Sequence, residues 1–173
     1  MSAAASGFRV RAAVITVSTK GSRGERVDES GPALRDGLAA AGHEVVFQEL
    51  VPDDVERVAT TIIAATRAGA NVVLTTGGTG LSPNDVTPEA TRRVIDREAP
   101  GIAEALRARS LAVTPHGMLS RGVAGSLGSA LVVNLPGSPK AARESLEVLL
   151  PVLPHALELL AGESGEAGHR LPS

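Results

Sequence analysis

The stretch from Asn71 to Thr91, NVVLTTGGTGLSPNDVTPEAT, constrains this chain more than any other. Val72, Val73 and Leu74 form a short apolar run rich in β-branched residues, which predicts a buried strand, and Gly77, Gly78 and Gly80 follow at once. Glycines let the backbone turn tightly with nothing bulky above it, so the strand runs into a concavity. Successive N–H groups in such a turn suit phosphate or another anion, and Thr75, Thr76 and Thr79 add hydroxyls that donate as well as accept. Asp85 comes next. A carboxylate beside an anion site is unfavourable unless a cation sits between them, which points to a magnesium-bound nucleotide or polyphosphate.

Two familiar phosphate motifs do not fit. A P-loop closes on Gly-Lys-Ser/Thr, yet no lysine lies between Lys20 and Lys140. A dinucleotide fingerprint started at Gly78 and Gly80 finds Pro83 at its third glycine position. Read by itself, the loop is also compatible with a plain strand-to-helix connection.

Around this stretch the chain alternates strand and helix patterns. Residues 1–10 begin small and polar and are expected to be disordered. Ala12 to Ser18 is the first predicted strand, followed by KGSRGERVDES, a loop too polar to be buried. Leu34, Leu38 and Ala41 at helical spacing predict a helix from Ser30, with Gly42 as its C-cap. Glu44 to Val51 predicts the second strand, and Val55, Val58, Ile62 and Ile63 mark one face of the helix after it. Asp53 stands where that helix begins, and Glu56 completes an Asp-x-x-Glu capping pair, worth about 1 kcal/mol. Capping alone would account for Asp53. Yet Asp53, Ser18 and Thr76 all sit at carboxyl ends of predicted strands, where open α/β sheets gather ligands, so both roles stay open.

Thr87 is placed to cap a helix whose first residue is Pro88 and which runs to about Glu98. Pro100 and Gly101 break the pattern, and a second helix carries Ile102 and Leu106 toward Ser110. A weak strand signal from Leu119 leads through Gly128 to the clear strand Ala130 to Leu135; two strands joined so closely are antiparallel. LPGSPK, Leu135 to Lys140, reads as a second anion site, with Ser138 capping a helix that starts at Pro139 and Lys140 adding charge. A plain capped helix is the alternative there. Pro151 and Pro154 divide the last apolar stretch into a helix ending near Leu150 and a shorter one over roughly His155 to Ala161, before a mobile tail over 163–173. The expected fold class is α/β: a single three-layer α/β/α domain over 11–162, with a mostly parallel mixed sheet and one antiparallel strand near the last strand.

Composition removes other classes. A net charge of −2 and a pI near 6.1, with Phe8 and Phe47 as the only aromatic residues, leave neither a basic field nor a stacking platform for nucleic acid. No cysteine is present, and His43, His116, His155 and His169 lack ligand spacing. The N-terminal MSAAASGFRVR has no long apolar core and no later run is long enough to span a bilayer, so no membrane association is expected and a cytoplasmic protein is the default.

Taken together these pieces resemble the MogA/MoaB family, the molybdopterin adenylyltransferases of molybdenum-cofactor biosynthesis, which are also similar to the G domain of gephyrin. The resemblance covers about Arg11 to Gly162 and rests on DESGPAL (Asp28 to Leu34), VPDD (Val51 to Asp54), TTGGTG (Thr75 to Gly80), NDVTPEAT (Asn84 to Thr91), PGIAEALR (Pro100 to Arg107), LSR (Leu119 to Arg121) and NLPGSPKA (Asn134 to Ala141). It implies transfer of AMP from magnesium-ATP to the terminal phosphate of molybdopterin with release of pyrophosphate. It also implies a homotrimer or a hexamer, and hand-over of the product to a molybdenum insertase. By the same resemblance Asp53 and Asp85 are the catalytic acids and the Mg2+ ligands. Thr76, Gly77, Gly78, Thr79, Gly80, Ser120 and Arg121 contact the pterin substrate and its phosphate; Ser18, Asn134, Pro136, Gly137, Ser138 and Lys140 form the nucleotide site. A MoaB-like pterin-binding or scaffolding oligomer without turnover is the competing expectation. One departure stands out: many relatives place basic residues in the turn before the last strand, where this chain reads GSLGSA from Gly125 to Ala130. If that turn holds phosphate, binding here is weaker or Arg121 compensates.

Overall fold

The computed structural model describes residues 8–162. The expected mobile tail over 163–173 and residues 1–7 of the expected disordered segment lie outside that range; Val10, within that segment, is a core residue at 1% exposure.

Strand periodicity explains the layers. Six strands, β1 (Arg11–Val17), β2 (Glu44–Val51), β3 (Val72–Thr76), β4 (Arg97–Glu98), β5 (Ala124–Leu127) and β6 (Ala130–Leu135), form one sheet in the order β2-β1-β3-β6-β5-β4. Side chains two apart share a face. Ala12, Val14, Val72, Leu74, Leu131 and Val133 turn one way and pack against Leu34 and Leu38 of α2 (Ser30–Ala40), Leu106 of α5 (Pro100–Leu111), Leu146 of α6 (Pro139–Leu149) and Leu157 of α7 (Leu153–Leu160). Ala13, Ile15, Val73 and Val132 turn the other way, onto Val58 and Ile62 of α3 (Val55–Arg67) and Ala90 of α4 (Thr87–Val94). A one-turn helix, α1 (Thr19–Ser22), follows β1 within the segment expected to be loop. The three layers and the mixed sheet are those expected, and β5, antiparallel to β6, is the reversed strand. No helix among the described residues is long and apolar enough to cross a membrane.

Two boundaries differ from the sequence reading. Helix α4 stops at Val94, where a helix to about Glu98 was expected, and Arg97–Glu98 becomes an edge strand paired with Gly125 and Ser126. The N–H of Asp96 donates to Ser126 O at 2.6 Å and that of Ala99 to Ala124 O at 2.8 Å, so partners on β5 outcompete a helical continuation. The segment after Leu119 is extended only from Ala124; Pro115–Leu119 is a 3-10 turn.

β1 pairs in parallel with both β2 and β3, and β3 with β6, so the chain order reverses between β1 and β3. Val17 lies opposite Val51, Thr16 opposite Thr76, and Thr76 opposite Leu135. The connections leaving β1, β2, β3 and β6 therefore emerge at one edge, around the crevice where such sheets take ligands.

Candidate active site

The crevice is a cleft of about 1340 Å³ whose lining includes Ser18, Thr19, Asp53, Thr76 to Gly78, Asp85 and Gly137 to Pro139. Glycine is required where its connections cross. Gly77 has φ +98°, and a side chain on it would overlap the Val17 carbonyl oxygen. A methyl on Gly137 would lie 3.2 Å from Gly77 Cα, so the two candidate anion turns touch. The N–H of Gly77 is used internally, donating to Leu135 O at 3.2 Å, and the buried Thr76 hydroxyl donates to Pro136 O at 2.7 Å. The N–H groups of Gly78, Thr79 and Gly80 have no protein acceptor among the described residues, which leaves them for an anion. Thr87 does not cap α4, whose N-cap is Val86. Its buried hydroxyl donates to Gly77 O at 2.9 Å and its N–H to Gly78 O at 3.1 Å, tying the turn to the helix.

The capping assignment moves by one residue. Asp54, not Asp53, caps α3, its Oδ1 accepting from the N–H of Arg57 at 2.8 Å. Asp53 is held instead by Thr19: the Thr19 N–H and hydroxyl both donate to Asp53 Oδ2 at 2.8 Å, and the Asp53 N–H donates to Thr19 Oγ1 at 3.0 Å. Its other oxygen, Oδ1, lies 3.1 Å from where a Cβ on Gly78 would be. Asp85 approaches the same turn from its far end, with Oδ2 2.8 Å from where a Cβ on Gly80 would be. Both carboxylates line the one cleft.

Other groups in the cleft were not among the expected site residues. Asp28 accepts from the Thr16 hydroxyl at 2.8 Å and from the N–H of Gly31 at 3.0 Å, fixing the start of α2. Lys20, Arg23 and Arg26 line the cleft with no carboxylate in ion-pair range among the described residues. Their signal is the density of cations in KGSRGERVDES, between Ser18 and the DESG motif, a segment whose polarity alone says no more than loop. With Glu25, Asp28, Glu29, Asp53 and Asp85 counted, five carboxylates face three cations. A polyphosphate entering this cleft needs a further cation. No cluster of three or more His, Asp or Glu side chains among the described residues is disposed to hold a metal. Two carboxylates beside free N–H donors fit Mg2+ that arrives with phosphates and water, rather than a caged resident ion.

Several expected site residues lie elsewhere. Asn134 is buried, its amide donating to Thr75 Oγ1 and Thr91 Oγ1 at 2.9 Å each while its Oδ1 accepts from the N–H of Val123 at 3.1 Å. It stitches β6 to β3 and α4, both ends of its amide bonded within the protein. Lys140 is exposed, outside the cleft lining, although Ser138 caps α6 as expected, accepting from the N–H of Ala141 at 3.1 Å. Thr79, Gly80 and Pro136 are likewise not among the residues that line this cleft. Ser120 and Arg121 border a separate cavity of about 360 Å³ with Arg92 and Arg107. The GSLGSA turn joins β5 to the amino end of β6, at the opposite edge of the sheet, so it holds no phosphate in this cleft.

A family model described as "Probable molybdopterin binding domain" matches residues 13–155. The chain belongs to that family. It is 40% identical over 157 residues to a protein named gephyrin from Dictyostelium discoideum, covering 85% of this chain but 22% of that one. Of two further curated relatives it spans 50% and 25% of the length. A protein named molybdopterin adenylyltransferase from Helicobacter pylori is 36% identical over 152 residues, 86% of each chain. The crystal structure of a protein titled molybdopterin biosynthesis enzyme MoaB, from Thermus thermophilus, superposes with a TM-score of 0.82 at 54% identity, covering 88% of this chain and 97% of that one.

Proposed function

We propose that this protein is a molybdopterin adenylyltransferase of molybdenum-cofactor biosynthesis, acting in the cytoplasm on molybdopterin and magnesium-ATP. The observation that carries the reading is the shared cleft: Asp53 and Asp85 flank one glycine turn whose N–H groups at Gly78 to Gly80 lack protein acceptors among the described residues. In the reaction an oxygen of the molybdopterin phosphate attacks the α-phosphorus of ATP, the bond to the β-bridging oxygen breaks, and pyrophosphate leaves. No covalent enzyme intermediate is needed, so the protein's task is to position two polyanions and stabilise the departing charge. The free N–H of Gly78, in the cleft lining, and the start of α6 at Ser138 hold phosphate oxygens. Lys20, Arg23 and Arg26 line the same cleft and offset charge on the triphosphate and the departing pyrophosphate. Thr19 fixes Asp53, so that its free oxygen is aimed before substrates bind. Mg2+ bound through Asp53 and Asp85 would supply charge neutralisation between the phosphates and these carboxylates. Ser120, in the neighbouring cavity, is assigned to the pterin side of the substrate.

The deciding experiment incubates the protein with molybdopterin, ATP and magnesium and follows pyrophosphate and adenylylated pterin. Formation of both is expected. Intact pterin binding with neither product would reject the enzyme reading and leave a scaffolding oligomer. A homotrimer that hands its product to a molybdenum insertase belongs to the same proposal; a monomeric mass by light scattering at micromolar concentration would count against the trimer.

A further inference from the structure

The segment that delivers Asp85 to the cleft has little to hold it. Leu81 to Asn84 are exposed, and the local bonds are those of the Asp85 N–H to Ser82 O at 2.9 Å and the Asn84 N–H to Ser82 Oγ at 3.5 Å. Its anchorage comes from Arg121, 36 residues further along the chain. The Arg121 N–H donates to Thr79 O at 2.8 Å, Nε to Gly80 O at 2.7 Å and Nη2 to Asp85 O at 2.8 Å. One guanidinium thus spans the first and last residues of Gly80 to Asp85. Its remaining edge donates through Nη1 to the Glu89 carboxylate, in the first turn of α4.

We propose that Arg121 is a positioning residue for Asp85, and that Glu89 orients the guanidinium that does the positioning. The proposal rests on the reading of Asp85 as an active-site acid. It replaces the expectation that Arg121 contacts the substrate phosphate. The guanidinium is outside the lining of the main cleft, its charge is paired with Glu89, and two of its donors are spent on main-chain carbonyls. Only a planar fork reaches two carbonyls and a carboxylate at once; a lysine ammonium in the same place keeps the charge and loses the span.

The test compares Arg121→Lys, Arg121→Gln and Glu89→Gln in the full chain, each first checked for cooperative thermal unfolding. In the ligand-free protein, amide hydrogen exchange at Asp85 and Thr87 is expected to be roughly tenfold faster in Arg121→Lys, because local opening no longer breaks the clasp. In steady state kcat should fall by roughly 10–10², the scale of a misplaced catalytic group, and the magnesium concentration for half-maximal rate should rise about threefold or more. The KM for molybdopterin should stay within about threefold. Glu89→Gln should move exchange and magnesium dependence in the same direction by less, and it carries the exchange readout if Arg121→Lys does not fold. Wild-type exchange at Asp85 in Arg121→Lys would overturn the proposal. So would a raised KM for molybdopterin with kcat and magnesium dependence unchanged, the signature of a direct phosphate contact. The exchange measurement needs no turnover. If the protein proves inactive, faster exchange still supports the clasp and unchanged exchange still rejects it.

Discussion

Substituting Asp54 and Asp53 separately distinguishes a helix cap from a catalytic acid at adjacent positions. Asp54→Ala removes the acceptor that meets the Arg57 N–H at 2.8 Å and caps the 13-residue helix α3. Loss of such a cap costs about 1 kcal/mol, and a domain of this size then loses roughly 2–4 °C in Tm. Asp54 is exposed and outside the cleft lining, so turnover at 25 °C should stay within about twofold of wild type. Asp53→Asn keeps the shape. Its amide oxygen can still accept from the Thr19 N–H, and its main-chain N–H can still donate to Thr19 Oγ1, so the stability change should be about 1 kcal/mol or less. What disappears is the charge. Deleting one preorganised electrostatic group costs roughly 10²–10³ in rate, or about 2.7–4 kcal/mol of transition-state stabilisation. Asp85→Asn should behave alike, and the double substitution should cost less than the product of the single losses, because groups acting as a unit are not additive. Calorimetry gives the Tm, pyrophosphate release gives the rate, and pterin binding shows that the cleft survives. An Asp53→Asn protein with wild-type turnover, beside an Asp54→Ala protein that has lost it, would reverse the two assignments.

Gly77→Ala should lower stability by roughly 1–3 kcal/mol and abolish nucleotide binding, since φ +98° and the Val17 carbonyl both exclude a Cβ; urea unfolding equal to wild type would refute the close approach. Replacing Lys20, Arg23 and Arg26 together by alanine should raise the KM for ATP by about tenfold and weaken its salt dependence, leaving pterin binding unchanged in a titration without nucleotide. Glu89 supplies a pH prediction. The Arg121 guanidinium bonded to it holds its carboxyl below the usual range, against a smaller opposing effect of burial. Its contribution is therefore complete above the ordinary glutamate range and is lost as pH falls through the lowered folded-state value. The stability difference between wild type and Glu89→Gln, below ~1 kcal/mol for a pair this exposed, should shrink toward acid in denaturant titrations; a difference that grows would refute the pairing.

Periodic and capping signals were enough for much of the scaffold. β1, β2, β3 and β6 lie within about a residue of the apolar runs that predict them, and α6 starts where Ser138 and Pro139 say it must. These depend on neighbours along the chain: alternation over a few residues, or one hydroxyl and an N–H three positions on. The glycine turn was legible for the same reason, because its backbone geometry is a local demand. Other features depend on partners far away in sequence. Asp53 and Asp54 are equally able to cap α3, and only Thr19, 34 residues before Asp53, decides that Asp53 is held aside. The bonds that Arg121 and Asn134 make to carbonyls and hydroxyls of other elements have no signal along the chain, and β4 exists only because β5 offers partners to a segment with a helical pattern. A side chain's local options are set by its own type and its neighbours. Which option it takes is set by which buried donor or acceptor would otherwise go unpaired, a cost that appears only once the sheet has brought the distant segments together.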